Sequence, residues 1–367
     1  MKINPFFSLN ALNFLLNTAI QGSTIFIPLL GAQLGASDFQ VGLVGASYGG
    51  AYLLSSLYCG RRSDRRGRLV FVRTGLFLCT ISFASQILAG KLPSLALLRA
   101  GVGLTLGIAM AALVAYAFES GADMGRFSSY GSLGWIAGAL VAAWLKQFDI
   151  LFAASSLCCA GAFFLSLRLP EEPGPESRRR GKNPSSLTAV IRSGGTVYLA
   201  VFARHLGATA VWIILPLYFA SLGLDRFWVG VLWGINFAVQ FLVMRHLERF
   251  NPHTVFTTGQ LLSIGVFVAY AFVENLWPLV AAQALLGVAW SCLYVGALLL
   301  VLRTGEDRGT ASGIFQATLN LCGAVGPFLG GAIAQEWGYR GVMLFAAALG
   351  VAGLAVAIPR TRQQHTG

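Results

Sequence analysis

The apolar stretches of this chain are too long and too many for a water-soluble core. They run over 6–30, 40–59, 70–90, 93–117, 127–145, 149–168, 196–221, 226–244, 254–273, 277–302, 309–334 and 340–358. Each holds about 18 or more mostly uncharged residues, enough to cross a hydrocarbon layer of about 30 Å as a helix. Only 11% of residues are charged and the mean hydropathy is +0.69, which excludes an ordinary globular enzyme. A membrane β-barrel would instead alternate apolar and polar residues in short segments, and no such pattern occurs. The expectation is an all-α integral membrane protein with twelve transmembrane helices.

The net charge of +12 would suit a nucleic-acid binder if it were spread over one soluble surface. Its distribution excludes that. With the N-terminus inside, 20 of the 26 Lys and Arg residues fall on cytoplasmic segments and four outside, Lys91, Lys146, Arg226 and Arg340. That bias predicts a multi-pass protein of the plasma or inner membrane with both termini cytoplasmic. The remaining two, Arg99 and Arg204, lie inside spans. The six cysteines, Cys59, Cys79, Cys158, Cys159, Cys292 and Cys322, sit in or beside apolar runs without zinc-site spacing, so free thiols are expected. Asn10, Asn13 and Asn17 interrupt the first run, which reads as a retained helix and not a cleaved signal.

Between the second and third runs stands Gly60-Arg-Arg-Ser-Asp-Arg-Arg-Gly-Arg68. Cationic loops resist export, so this one belongs on the cytoplasmic face. Gly60, Asp64, Arg65, Gly67 and Arg68 are in register with G-x-x-x-D-R-x-G-R, and the loop resembles the signature of the major facilitator superfamily; Arg62 departs from it, where an apolar residue is commoner. Helix 11 resembles the same family in Arg308-Gly-Thr-Ala-Ser-Gly313 followed by Gly323, Gly326-Pro327 and Gly330-Gly331. Small residues at this spacing let helices approach closely in lipid. Helix 5 carries Gly131, Gly134 and Gly138 but lacks the Gly-Pro pair of many proton-driven antiporters of the family.

Internal repetition supports the resemblance. Ile27-Pro28-Leu29, Leu34-Gly35, Phe39, Val41 and Gly42 match Leu215-Pro216-Leu217, Leu222-Gly223, Phe227, Val229 and Gly230 at an offset of 188. Arg99-Ala100 and Gly103 match Gln283-Ala284 and Gly287 at 184, and Arg126 with Gly131 matches Arg308 with Gly313 at 182. The expected organisation is two six-helix parallel pseudo-repeats, 1–169 and 196–367, joined by a charged, Pro-rich linker over 170–195.

All fourteen acidic residues fall in loops or at helix ends, so no mid-membrane carboxylate is available for proton coupling. The candidates are therefore His205 and the rim carboxylates Glu119 and Asp38, with uniport open. Arg99 stands in Arg-x-x-x-Gly-x-x-x-Gly with Gly103 and Gly107, which resembles the family's helix-4 motif; it reads as a coupling or substrate residue, or as an arginine snorkelling to the surface. His205, with Thr209, Trp212 and Pro216 at helical spacing, and Arg204 beside it border a cavity; alternatively Arg204 snorkels inward and His205 hydrogen-bonds a neighbouring helix. Asn10, Asn13, Asn17 and Gln21 share one face of helix 1. Because helices 1, 4, 7 and 10 line the cavity in the family, that stripe is a hydrogen-bonding wall for substrate; the competing reading is interhelical glue. Asn236, Gln240, Gln283, Trp290, Tyr294, Gln316 and Asn320 are secondary candidates. The arginine loop reads as a topology signal or as a gate in which Asp64 meets the positive end of helix 11 near Arg308 and Gly309.

The function expected is secondary transport of a small organic solute by alternating access, as ion-coupled efflux or uptake. The alternatives are a uniporter or permease for a polar or anionic metabolite, and a non-transporting scaffold or receptor. No nucleotide-binding glycine loop, metal cluster or nucleophile-base pair suggests an enzyme. No cofactor is expected; the partners are solute, bilayer and protons, and the chain is expected to act as a monomer.

Overall fold

The computed structural model describes residues 5–170, 187–303 and 308–357, excluding the side chains of Pro5, Asp64, Arg65, Leu187, Arg308 and Gly309. It is helical, with no strand among the described residues. The helices are α1 (Pro5–Thr24), α2 (Ile27–Gln33), α3 (Asp38–Arg66), α4 (Arg68–Ser85), α5 (Leu92–Glu119), α6 (Met124–Leu145) and α7 (Phe148–Ser166). They continue as α8 (Leu187–Ser221), α9 (Arg226–Met244), α10 (Pro252–Phe272), α11 (Leu276–Arg303) and α12 (Arg308–Ala357). Nine helical stretches among the described residues are long and apolar enough to cross a membrane.

The differences from the sequence expectation have local causes. The first run is split at Ile25–Phe26, just before Pro28, into α1 and α2. Residues 187–195, expected in the linker, form the first turns of α8; the rest of that linker, from 171 to 186, lies outside the described residues. The two runs 309–334 and 340–358 share α12, which breaks at Gly338. There φ is 66° and ψ −179°, a conformation open to glycine, and it turns the chain without a separate loop.

Helix starts carry their own signals. Ser37 caps α3 through a reciprocal bond with Gln40. Asp225 caps α9 by accepting from Trp228 N at 3.1 Å. Ser37 and Asp225 are 188 residues apart, the offset of the internal repeat.

Most helix contacts fall within α1 to α7 or within α8 to α12, and α3 against α12 and α6 against α9 join the two groups, with one core cluster shared between them. In the first, α5 lies against α3 so closely that a side chain on Gly103 would overlap Tyr48 O. In the second, Gly326 and Gly330 of α12 bring its backbone onto α8 at Thr209 and Ala210. Close approach of this kind replaces the hydrophobic drive that lipid cannot supply.

Candidate functional site

Two seams join the groups. In the first, α3 meets α12: a Cβ on Gly42 would collide with Pro327 O, and one on Gly49 with Gly323 O. In the second, α6 meets α9, where a Cβ on Gly230 would lie 2.6 Å from Ala143 Cβ. Trp135 of α6 adds a tilted contact with Phe237 of α9 at 5.4 Å. Both seams run from mid-helix toward one end of the molecule, the end carrying Lys146.

Polar contacts reinforce that end. Lys146 Nζ donates to Asp225 Oδ2 at 2.8 Å, and Arg226 Nη1 donates to Lys146 O at 2.5 Å. The Arg226 guanidinium sits 4.1 Å above the Phe148 ring. Tyr339 OH donates to Asp38 Oδ1 at 3.5 Å, and Phe39 meets Phe328 edge-on at 5.6 Å. The ammonium of Lys146 holds the Asp225 carboxyl below the usual carboxylate range, while burial raises that of Asp38. A depression of about 640 Å³ opens here, lined in part by Leu29, Gln33, Leu217, Asp225 and Tyr339. At the opposite end of α12, Gly313 and Gln316 are exposed.

The signature loop sits at that opposite end. Gly67 joins α3 to α4 at φ 95°, where a Cβ would be strained, and its N–H closes α3 on Ser63 O. Arg68 donates through Nε and Nη2 to Glu119 Oε1, the latter at 2.8 Å, and through Nη1 to Ser63 Oγ at 2.7 Å. Its Nη1 also reaches Gly60 O at 3.4 Å. Arg68 thus ties α4 to α3 and α5, and Glu119, a coupling candidate from sequence, is engaged in that tie. Asp64 and Arg65 belong to the last turn of α3, but the contact expected between Asp64 and Arg308 or Gly309 lies outside the described residues.

Neither arginine within the spans snorkels. Arg99 is 2% exposed and Arg204 0%. Arg99 Nη1 donates to Gln86 Oε1 at 3.1 Å and Nη2 to Thr24 Oγ1 at 3.2 Å, with its guanidinium 4.4 Å from the Tyr48 ring centre. It fastens α1, α3 and the turn after α4 to α5. Arg204 Nε donates to Ser263 Oγ at 2.9 Å, while Nη1 and Nη2 have no partner. Phe267 and Trp290 lie under its guanidinium at 5.4 and 5.5 Å.

His205 joins an aromatic box. Its ring stacks on Trp290 at 4.8 Å, with Trp212 edge-on to His205 at 5.2 Å and to Trp290 at 5.7 Å. Tyr294 continues the row 5.5 Å from Trp290. Thr209 leaves this wall, since its hydroxyl donates to His205 O and to Cys322 O of α12. Gln283 is buried with both side-chain amide atoms unpartnered, while its backbone carbonyl accepts from Asn236 Nδ2 at 3.0 Å.

In the helix 1 stripe, one amide bonds to another helix and one within α1. Asn13 Nδ2 donates to Phe127 O of α6 at 2.8 Å, and Asn17 Nδ2 to Asn13 O and Oδ1. A Cβ on Gly131 would lie 3.1 Å from Asn13 Nδ2, and one on Gly138 2.9 Å from Gln21 Cβ. The α6 glycines therefore receive the amide face. Asn10 is buried on the same helix at 7% exposure. Sequence reading missed Thr24, Tyr48 and Gln86 around Arg99, Ser263 beside Arg204, and the Lys146–Asp225 pair. For these, no periodic signal exists.

Such a bundle of long apolar helices, with two helix groups in contact through glycine seams and buried cations in the interior, is that of a polytopic membrane transporter. The chain belongs to the Major Facilitator Superfamily, whose family model matches residues 8–244 and 197–367. It is a multi-pass protein of the plasma or inner membrane and a transporter, not an enzyme. It is similar to the multidrug resistance protein MdtG of Salmonella typhimurium strain LT2, 24% identical over 362 residues, covering 90% of this chain and 88% of the relative. The same protein of Proteus mirabilis strain HI4320 is 26% identical over 362 residues, at 88% and 87% coverage. Among solved structures, the nucleoside transporter NupG superposes with a TM-score of 0.78 at 16% identity, covering 97% of this chain and 98% of that one. A bacterial homolog of the human lysosomal transporter Spinster, inward-facing and occupied, gives 0.78 at 14% identity, with 97% and 96% coverage.

Proposed function

We propose that this chain exports a small organic solute by alternating access, driven by protons, and works as a monomer. The Lys146 end faces outward, and the arginine loop and both termini face the cytoplasm. Two six-helix halves, 1–169 and 196–367, cross the membrane twelve times and rock about the two glycine seams. One observation carries this reading: the glycine contacts between the halves among the described residues, at Gly42, Gly45, Gly49 and Gly230, lie from mid-helix to the Lys146 end, as an inward-facing state requires. Symmetry supports it, because Gly42 and Gly230, equivalent at the offset of 188, both sit in the seams. The name of the MdtG relatives favours export.

Asp38 is the proposed proton carrier. It lies in the α3–α12 seam with Tyr339, and burial raises its carboxyl above the usual range in the closed state. Its pKa is raised when the outer end is closed and falls when water enters, so protonation favours closure. That contribution is full below the ordinary carboxylate value of about 4 and is lost as pH rises through the closed-state value. A cysteine at Ile213, whose side chain packs on the Gly45 position across the seam, reports opening to an impermeant maleimide. Labelling, normalised to a cysteine at the exposed Lys91, should rise with external pH in the wild type. In Asp38→Asn it should stay low at every pH. Labelling in Asp38→Asn that still follows pH would remove Asp38 from coupling. Labelling from outside that never occurs would contradict alternating access itself.

A further inference from the structure

The surroundings of Arg204 are rich in hydrogen-bond donors that have nothing to donate to. The guanidinium is 0% exposed, and both Nη atoms lack partners. Trp212 Nε1, a donor only, is also buried and unpartnered. His205 Nδ1 is a fourth unpartnered atom, able to take either role. Among the described residues Arg68 pairs with Glu119, Lys146 with Asp225 and Arg340 with Glu274, whereas Arg204 meets no carboxylate. Gln260 Oε1, one turn before Ser263 on α10, is an unpartnered acceptor, but an amide brings no charge. Water would satisfy the donors without neutralising the cation. In a membrane interior a cation without a counter-ion is costly, and a carboxylate, sulfonate or phosphonate supplies both acceptors and charge. The paired Nη atoms also match the fork geometry of such a group.

The aromatic box supplies the rest of a site. His205, Trp212, Trp290 and Tyr294 present ring faces and edges next to those donors, and Trp212 and Tyr294 are only half-buried, which leaves one edge of the box open. Flat apolar bodies stack well against such walls. We infer that the carried solute is an organic anion with a flat, apolar body, its acid group held by the Arg204 Nη pair and Trp212 Nε1, and its body against Trp290 and Tyr294. This rests on the transporter reading above. A cationic amphiphile would meet an arginine there and no carboxylate. Because Arg204 is sealed in this state, loading requires the half-buried Trp212 ring to swing aside.

The test uses the purified full chain in detergent and three probes that share one ring system: naphthoate, naphthamide and naphthamidine, which are anionic, neutral and cationic. Affinity is read by quenching of tryptophan fluorescence and by thermal shift. Wild type should bind naphthoate about tenfold tighter than naphthamide, and naphthamidine most weakly. Arg204→Gln should bring naphthoate and naphthamide to within about threefold of each other. Arg192→Gln, which removes an exposed arginine from the same helix, should keep the wild-type preference. If Arg204→Gln does not elute as a folded monodisperse species, Arg204→Lys carries the test, with a reduced but surviving carboxylate preference. Equal affinities, no binding of any probe to wild type, or an unchanged preference in Arg204→Gln would overturn the inference. A protein whose Ile213 cysteine opens and closes but which shows no charge preference sinks the anion site alone. Naphthoate preference in a protein that never opens sinks the transport reading instead.

Discussion

Gly49→Val should abolish transport while leaving membrane insertion near normal. At this point α3 touches α12 backbone to backbone: an added Cβ would overlap Gly323 O and come within 2.8 Å of Gly323 C and 2.9 Å of Ala324 Cα. Backbone cannot step aside as a flexible side chain can, so the helices must part. Parting them costs only the closed-outside state, because each group keeps its own packing. A shift of that equilibrium by about 1.4 kcal/mol is tenfold, and valine in mid-seam should exceed it. Gly50→Ala is the control. A Cβ on Gly50 meets nothing within 4 Å, and transport should be unchanged. Flux assays in proteoliposomes, with the two variants matched for incorporation, decide the matter; equal flux in both would mean that the seam does not gate.

Asp64→Asn should also cut transport severely, for the opposite reason. Asp64 lies in the last turn of α3, where the helix dipole is already negative, so α3 itself gains nothing from an acid there. Under the proposed gating role, the charge serves a partner in the other helix group. The positive start of α12 at Arg308 is the helix terminus the gating motif points to. In the proposed cycle that contact belongs to the outward-facing state, and removing the charge should leave the chain resting inward-facing. Normal expression with transport down at least about tenfold is the expected result. Wild-type flux in Asp64→Asn would reduce the motif to a topology signal.

Much of the fold was legible because lipid imposes a length on every span and the duplication imposes a register. The offset of 188 placed Gly42 and Gly230 in equivalent positions before either was known to lie in a seam. The site was less legible. A polar stripe such as Asn13–Asn17–Gln21 defines a helix face but not what the face meets, and the glycines of α6 at matching spacing were the signal that a helix would dock there. Arg99 is held by residues from three other segments, Thr24, Tyr48 and Gln86, whose sequence separations follow no period. The Lys146–Asp225 pair spans 79 residues and depends on which end of the bundle is closed, a property of the conformation as much as of the chain.

The central claim is that the two helix groups close one end as they open the other. Pulsed electron-resonance distances test it directly, with spin labels on cysteines at Ala32 and Ser221 beside the Lys146-end depression, and in a second sample at Arg61 and Gln316 near the arginine loop, all exposed. The six native free cysteines are first replaced. On lowering the pH, the Ala32–Ser221 distance should shorten while the Arg61–Gln316 distance lengthens, and Gly49→Val should hold the first pair long and the second short. Distances that change in the same direction at both ends, or at neither, would contradict the account.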